Sequence, residues 1–179
     1  MNKAIFLDRD GVVIKARVIN GRPYPAASLD EVQITPGFDQ VLQNLHDEGY
    51  LLIVVTNQPD VARGTQTRDV VESINQLLLE RLPIEKVYTC FHDNADACDC
   101  RKPKPGLLFE AASEYDIDLP QSYMVGDRWS DIEAGNAAGC KTIYINYGYD
   151  ERPAVEYNFL AVDQLMIAEI ISGGMGEAY

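Results

Sequence analysis

Short apolar runs alternate with segments of helical spacing along nearly the whole chain, and that rhythm limits the fold more than any other feature. Lys3–Leu7, Leu51–Thr56, Lys86–Phe91, Ser122–Val125 and Lys141–Asn146 read as strands. Between them, Pro36–Glu48, Thr67–Leu82, Pro105–Tyr115 and Asp131–Ala138 repeat apolar residues at helical intervals, and Asp163–Ile171 predicts a closing helix. Thr35 is expected to cap the first helix, with Pro36 in its first turn, and Ser130 with Glu133 to form a capping box on the fourth. Residues Gly173–Tyr179 read as a fraying tail. A βαβα pattern argues an α/β fold with a central parallel sheet covered on both faces. At 179 residues the chain predicts a single domain over 1–179.

Two segments break the rhythm. Residues 15–34 form an insertion containing NGRPYPAAS, and 90–105 form a loop dense in Cys, His, Asp, Lys and Pro. Loops this long in a compact domain usually carry function.

Charge excludes some functions. Lys and Arg number 15 against 28 Asp and Glu, a formal charge of −13, with no basic run of the kind a nucleic-acid binder uses. The longest strongly apolar stretch, Leu51–Val55, is far short of the roughly 20 residues of a membrane span. Asp8, Arg9 and Asp10 interrupt the first apolar run before a signal-peptide core forms. A soluble, cytoplasmic protein is expected, a monomer by default, binding neither nucleic acid nor membrane.

Chemical groups fall at the strand ends, where open α/β sheets bind ligands. Asp8-Arg9-Asp10-Gly11 follows the first strand, Thr56-Asn57-Gln58 closes the second, and Gly126-Asp127-Arg128 follows the fourth. Asp8 and Asp10, two residues apart, repel unless a cation joins them, and Asp127 completes an oxygen set suited to Mg²⁺. A lone D-x-D is usually turn decoration; its place after an N-terminal strand, with Gly-Asp after another, makes it a site. Thr56 and Asn57 offer a hydroxyl and an amide to phosphoryl oxygens, against the plainer reading of a polar turn. In Arg101-Lys102-Pro103-Lys104-Pro105, Lys102 can neutralise a transferring phosphoryl group and Arg101 can grip the substrate bidentately, against the plainer reading of a solvated basic loop. Cys90-x-His92 and Cys98-x-Cys100 supply a Cys₃His set for a structural Zn²⁺, which would hold the loop carrying Arg101 and Lys102, against the plainer readings of disulfides or free buried thiols. Cys140 reads as core, and His46 as a solvated helix residue.

The ordered motifs DRDG, TNQ, CRKPKPG and VGDRWSD resemble the haloacid dehalogenase-like (HAD) phosphatases, and the CxH…CxC loop resembles their heptose-bisphosphate and histidinol-phosphate branch. The resemblance runs from Ile5 to about Tyr149. It implies a three-layer Rossmann-like HAD fold with no large cap domain, residues 15–34 acting as a flap and 90–105 as a zinc-binding insertion. It makes Asp8 the nucleophile, Asp10 the acid and base, and Thr56 and Lys102 the phosphoryl holders. Mg²⁺ would take Asp8, the Asp10 carbonyl and Asp127, with Asp131 in the outer shell. Asn57, Arg101 and Arg128 would contact substrate. The implied activity is Mg²⁺-dependent hydrolysis of a small sugar phosphate through an aspartyl-phosphate, first of all removal of the 7-phosphate of D-glycero-D-manno-heptose 1,7-bisphosphate. Histidinol phosphate or another small metabolite is the alternative substrate, and a phosphoaccepting signalling domain a remote alternative. Three positions depart from the pattern: Val12 stands where Thr is common, Arg128 where Lys is frequent, and NGRPYPAAS differs from the shorter flap of the heptose enzymes.

Overall fold

A computed structural model describes residues 1–173. Among these described residues eight strands form: β1 (Lys3–Leu7), β2 (Arg17–Ile19), β3 (Arg22–Tyr24), β4 (Tyr50–Asn57), β5 (Lys86–Cys90), β6 (Tyr123–Gly126), β7 (Lys141–Ile145) and β8 (Phe159–Ala161). The helices are α1 (Phe38–Asp47), α2 (Arg68–Arg81), α3 (Gly106–Tyr115), α4 (Trp129–Ala138) and α5 (Met166–Ile171). Six strands build one parallel sheet in the order β5-β4-β1-β6-β7-β8, and β2 and β3 pair as a separate hairpin.

The pleat explains the layers. In β1, Ile5 and Leu7 face α1, α2 and α5, packing with Leu42, Ile74 and Ile167, while Ala4 and Phe6 face α3 and α4, packing with Leu108 and Ala134. The expected three-layer α/β architecture is therefore present. The chain leaves β1 for β4 on one side and later returns to β6 on the other, so the end of β1 is the topological switch point where such folds bind ligands. Among the described residues no helix is long and apolar enough to cross a membrane.

Several local expectations are corrected. Gly37, not Thr35, precedes α1 at a φ of +78°, because the Thr35 hydroxyl donates to the Val12 carbonyl (3.1 Å) and ties that segment to the loop after β1. α4 starts at Trp129, so the box residues are Arg128 and Asp131 rather than Ser130 and Glu133: the Arg128 N–H donates to Asp131 Oδ2 (3.1 Å). Asp163 is a cap before α5, accepting from the Leu165 and Met166 N–H groups at 2.9 and 3.3 Å, rather than part of the helix. The tail expected from Gly173 onward lies, beyond Gly173 itself, outside the described residues. β8 was not expected; its three residues are too few to show a period.

Candidate active site

β1 delivers Asp8 into the seam between β4 and β6, its N–H donating to the Val125 carbonyl (3.0 Å). The Lys102 ammonium meets it there. All three of its hydrogens have acceptors: Asp8 Oδ1, Asp131 Oδ1 and the Val55 carbonyl, each at 2.7 Å. The Lys102 side chain is only 2% exposed. Burial would lower its pKa, but Asp131 and Asp8 outweigh burial and hold it raised, so it stays an ammonium.

Asp8, Asp127 and Asp131 bring a carboxylate oxygen each within 4.8 Å of one another. Burial, then the charge on Asp131, push Asp8 up to about 6 even with Lys102 alongside. Asp127 is raised by burial and by Asp8 and Asp131. Its Oδ2 accepts from the Tyr149 hydroxyl (2.8 Å), while its Oδ1 is buried with no hydrogen-bond partner among the described residues. Crowded acids with an orphaned buried oxygen are what a hard divalent cation satisfies, so these residues fit Mg²⁺. The Asp10 carboxylate stands outside this trio. Its Oδ2 accepts from Gln58 Nε2 (2.8 Å) and Arg9 Nε (3.0 Å). Gln58 also donates to the Thr56 hydroxyl (2.9 Å), and Arg9, fully buried, donates onward to Asn75 (3.0 Å).

Gly11 shows why this loop needs glycine. Its φ is +103°, and a Cβ there would stand 1.9 Å from Asp127 Oδ2. Gly11→Ala is expected to cost about 3 kcal/mol of stability, from backbone strain plus overpacking. Chemical denaturation would register it, together with a weakened Mg²⁺-induced rise in Tm, since Asp127 must move.

The charge pattern also fixes a pH dependence. A folded-state pKa above the value of 3.8 means that, without metal, the stability contributed by Asp8 is full at low pH and is lost as pH rises through about 6. Mg²⁺ needs the ionised carboxylates. The Tm gain from Mg²⁺ should therefore be larger at about pH 7.5 than at about pH 5. Equal gains at the two pH values would contradict this.

Asp8, Asp10, Thr56, Asn57, Arg101, Lys102, Arg128 and Asp131 line one cleft of about 410 Å³, roofed by Pro23 and Tyr24 of the β2–β3 hairpin and walled by Trp129. Of the three expected substrate contacts, Asn57 and Arg128 are already engaged by neighbouring protein groups. The Asn57 amide clamps the Lys102 backbone, donating to its carbonyl (3.0 Å) and accepting its N–H (3.1 Å). Arg128 is paired with Glu151, whose oxygens accept from Nε at 3.1 Å, and that pairing keeps its pKa raised. Arg101 has no ion pair among the described residues; its Nε donates to Asn94 Oδ1 (2.8 Å).

Beside the cleft, Cys90, His92, Cys98 and Cys100 bring ligand atoms within 4.8 Å of one another. Sulfur separations of 3.0 to 3.7 Å match the edges of a small tetrahedron, and His92 turns Nδ1 toward Cys100 (3.3 Å) and Cys90 (3.6 Å). Burial alone would raise Cys98, but the Arg101 N–H and neighbouring thiols bring it to about 7. The donor set fits a thiophilic metal. Cys140 lies apart in the core, pushed up to about 12 by burial, and His46 is exposed on α1.

Sequence reasoning missed Arg9, Gln58, Tyr149 and Glu151. Arg9 sat between two aspartates and read as part of a charged turn; nothing in the local pattern marks the loop bearing Tyr149 and Glu151 as returning to Asp127 and Arg128.

The chain is similar to known proteins in sequence and in fold. The HAD-hydrolase-like family model matches residues 99–166. The chain is 38% identical over 160 residues to D-glycero-beta-D-manno-heptose-1,7-bisphosphate 7-phosphatase of Pasteurella multocida, covering 83% of this chain and 84% of that protein. It is 37% identical over 146 residues to the enzyme of the same name from Helicobacter pylori, covering 78% and 81%. The crystal structure of D,D-heptose 1,7-bisphosphate phosphatase from B. bronchiseptica, complexed with magnesium and phosphate, superposes with a TM-score of 0.77 at 28% identity, covering 97% of this chain and 99% of that one. The fold and site define a HAD-type phosphatase. Within that class the chain belongs to the family of the D-glycero-D-manno-heptose-1,7-bisphosphate 7-phosphatases.

Proposed function

We propose that this chain hydrolyses the 7-phosphate of D-glycero-D-manno-heptose 1,7-bisphosphate through an aspartyl-phosphate on Asp8. The observation that carries the reading is the Asp8 carboxylate held 2.7 Å from a buried ammonium, at the switch point of a parallel sheet. Asp8 attacks phosphorus, and Asp10 gives a proton to the departing sugar oxygen. Asp10 then takes a proton from water, which attacks the phosphorus of the intermediate and frees Asp8. Gln58 and Arg9 fix the Asp10 carboxylate for both transfers. Lys102, anchored by Asp131 and the Val55 carbonyl, has one hydrogen to turn from Asp8 to a phosphoryl oxygen, and Thr56 offers its hydroxyl. Asp8, Asp127 and the Asp10 carbonyl would hold Mg²⁺, with Asp131 in the outer shell; when bound, the ion supplies positive charge for the phosphoryl oxygens.

A bisphosphate carries a second anion. Arg101, on the cleft wall with no carboxylate partner among the described residues, is the guanidinium available to it, with Arg128 beside it once Glu151 yields. Asn57 serves by fixing the Lys102 backbone. Residues 15–34 act as a flap and 90–105 as a zinc loop, on one domain spanning 1–179. Zn²⁺ in the Cys₃His cluster would be structural: it fixes the start of the segment bearing Arg101 and Lys102. Stripping it with a strong chelator is expected to cost activity that Mg²⁺ alone does not restore, and elemental analysis of native protein should find one zinc per chain.

The test is kcat/KM over α- and β-heptose 1,7-bisphosphate, histidinol phosphate and hexose monophosphates. The expected result is a preference of about a hundredfold for a heptose bisphosphate, the β anomer leading as in the relatives' names. Higher kcat/KM on histidinol phosphate would overturn the substrate assignment while keeping the chemistry.

A further inference from the structure

The cleft holds one more arginine, Arg63, in the loop after β4, and its guanidinium is held by acids away from the reacting carboxylate. It forks onto Asp93, Nη2 to Oδ1 at 2.6 Å and Nε to Oδ2 at 2.8 Å, with a longer contact to Asp60 (3.4 Å). Asp93 in turn organises the start of the turn at residues 94–96. Its Oδ1 accepts the Asn94 N–H (2.8 Å), and its own N–H donates to Asp96 Oδ2 (2.7 Å), a reciprocal cap. Asn94 then turns its side-chain oxygen to Arg101 Nε (2.8 Å). Arg101 also makes a long contact to the His92 carbonyl (3.4 Å), so Asn94 supplies the short hydrogen bond that orients it. A long arginine side chain loses much rotamer freedom when it grips an anion, and a partner that pre-orders it removes part of that cost.

We propose that Arg63, Asp93 and Asn94 form a relay that aims Arg101 at the second phosphate of a bisphosphate substrate. In this relay Asn94 and Arg63 are positioning residues: they set preference for a doubly phosphorylated sugar by acting through Arg101. The inference rests on the reading of Arg101 given above. It adds that the loop after β4, whose Gln58 only holds the Asp10 carboxylate, selects substrate by reaching across to the cysteine loop. Zinc would fix one end of the arc and the Arg63–Asp93 fork the other.

Heptose 1,7-bisphosphate and heptose 7-phosphate, which lacks the second phosphate, should be compared as substrates for wild type, Asn94→Ala, Arg101→Ala and the double variant, with zinc content measured for each. Asn94→Ala is expected to raise KM for the bisphosphate about tenfold while kcat stays within about twofold and the monophosphate KM is unchanged. The double variant should be no worse than Arg101→Ala, because both changes break one device. Equal losses on the two substrates, or losses that add in the double variant, would overturn the relay. If Arg101→Ala itself leaves the bisphosphate KM unchanged, the reading of Arg101 fails instead. Should Asn94→Ala lose zinc, Arg63→Lys decides: it keeps the charge but not the fork, so a raised bisphosphate KM supports the relay and a wild-type KM refutes it.

Discussion

Asp8→Asn is expected to abolish turnover, by at least about 10⁴-fold in kcat, and to raise the Tm of the metal-free protein. Both effects have one origin. Burial first, and then the charge on Asp131, push the carboxylate's pKa from 3.8 to about 6 against the pull of Lys102. Holding it ionised at neutral pH therefore costs the fold stability. An amide of the same shape removes that repulsion but cannot attack phosphorus. Phosphate release and thermal denaturation on the same preparation check the pair of effects. Residual turnover near wild type would remove Asp8 as the nucleophile. A lower Tm for the variant would instead show that the Lys102 pairing outweighs the repulsion, contrary to the electrostatics described here.

Lys102→Met is expected to lower kcat by about 10² to 10³-fold and to destabilise the metal-free protein as well. Methionine fills similar volume, so packing changes little. What goes is the ammonium between Asp8 and Asp131, each 2.7 Å away, leaving buried acids facing one another. Mg²⁺ should recover much of the stability, by returning positive charge to the acids, and little of the rate, because no group then follows the phosphoryl oxygen. Paired Tm measurements with and without Mg²⁺, alongside kcat, separate these outcomes. A variant as stable as wild type without metal would mean that the acids do not repel as their burial requires.

The sheet and most of the site were legible because both follow local rules. Uninterrupted apolar runs marked β1, β4 and β6, and side chains following parallel strands had to emerge at one edge. Asp8, Thr56, Lys102 and Asp131 accordingly share the cleft. The cysteine spacing foretold a cluster whose atoms do converge. What escaped was long-range or too short. The β2–β3 hairpin turns on Asn20 and Gly21, both at positive φ, a strong turn signal; the neighbouring prolines drew the reading toward a loop instead. Tyr149 and Glu151 lie 22 and 23 residues from the side chains they bind, and no period links such positions. The partners of Asn57 and Arg128 were hidden for the same reason: residue type revealed what each side chain can bind, whereas only the fold determines what already occupies it.

Whether Asp8 carries the phosphoryl group during turnover can be measured directly. Enzyme turning over saturating heptose 1,7-bisphosphate is quenched in acid, and its peptides are analysed by mass. The expected result is one phosphoryl group on the peptide containing Asp8, acid-stable, released by hydroxylamine and missing from Asp8→Asn. A phosphoryl group on any other residue, or steady turnover with no phosphorylated peptide at any quench time, would contradict it.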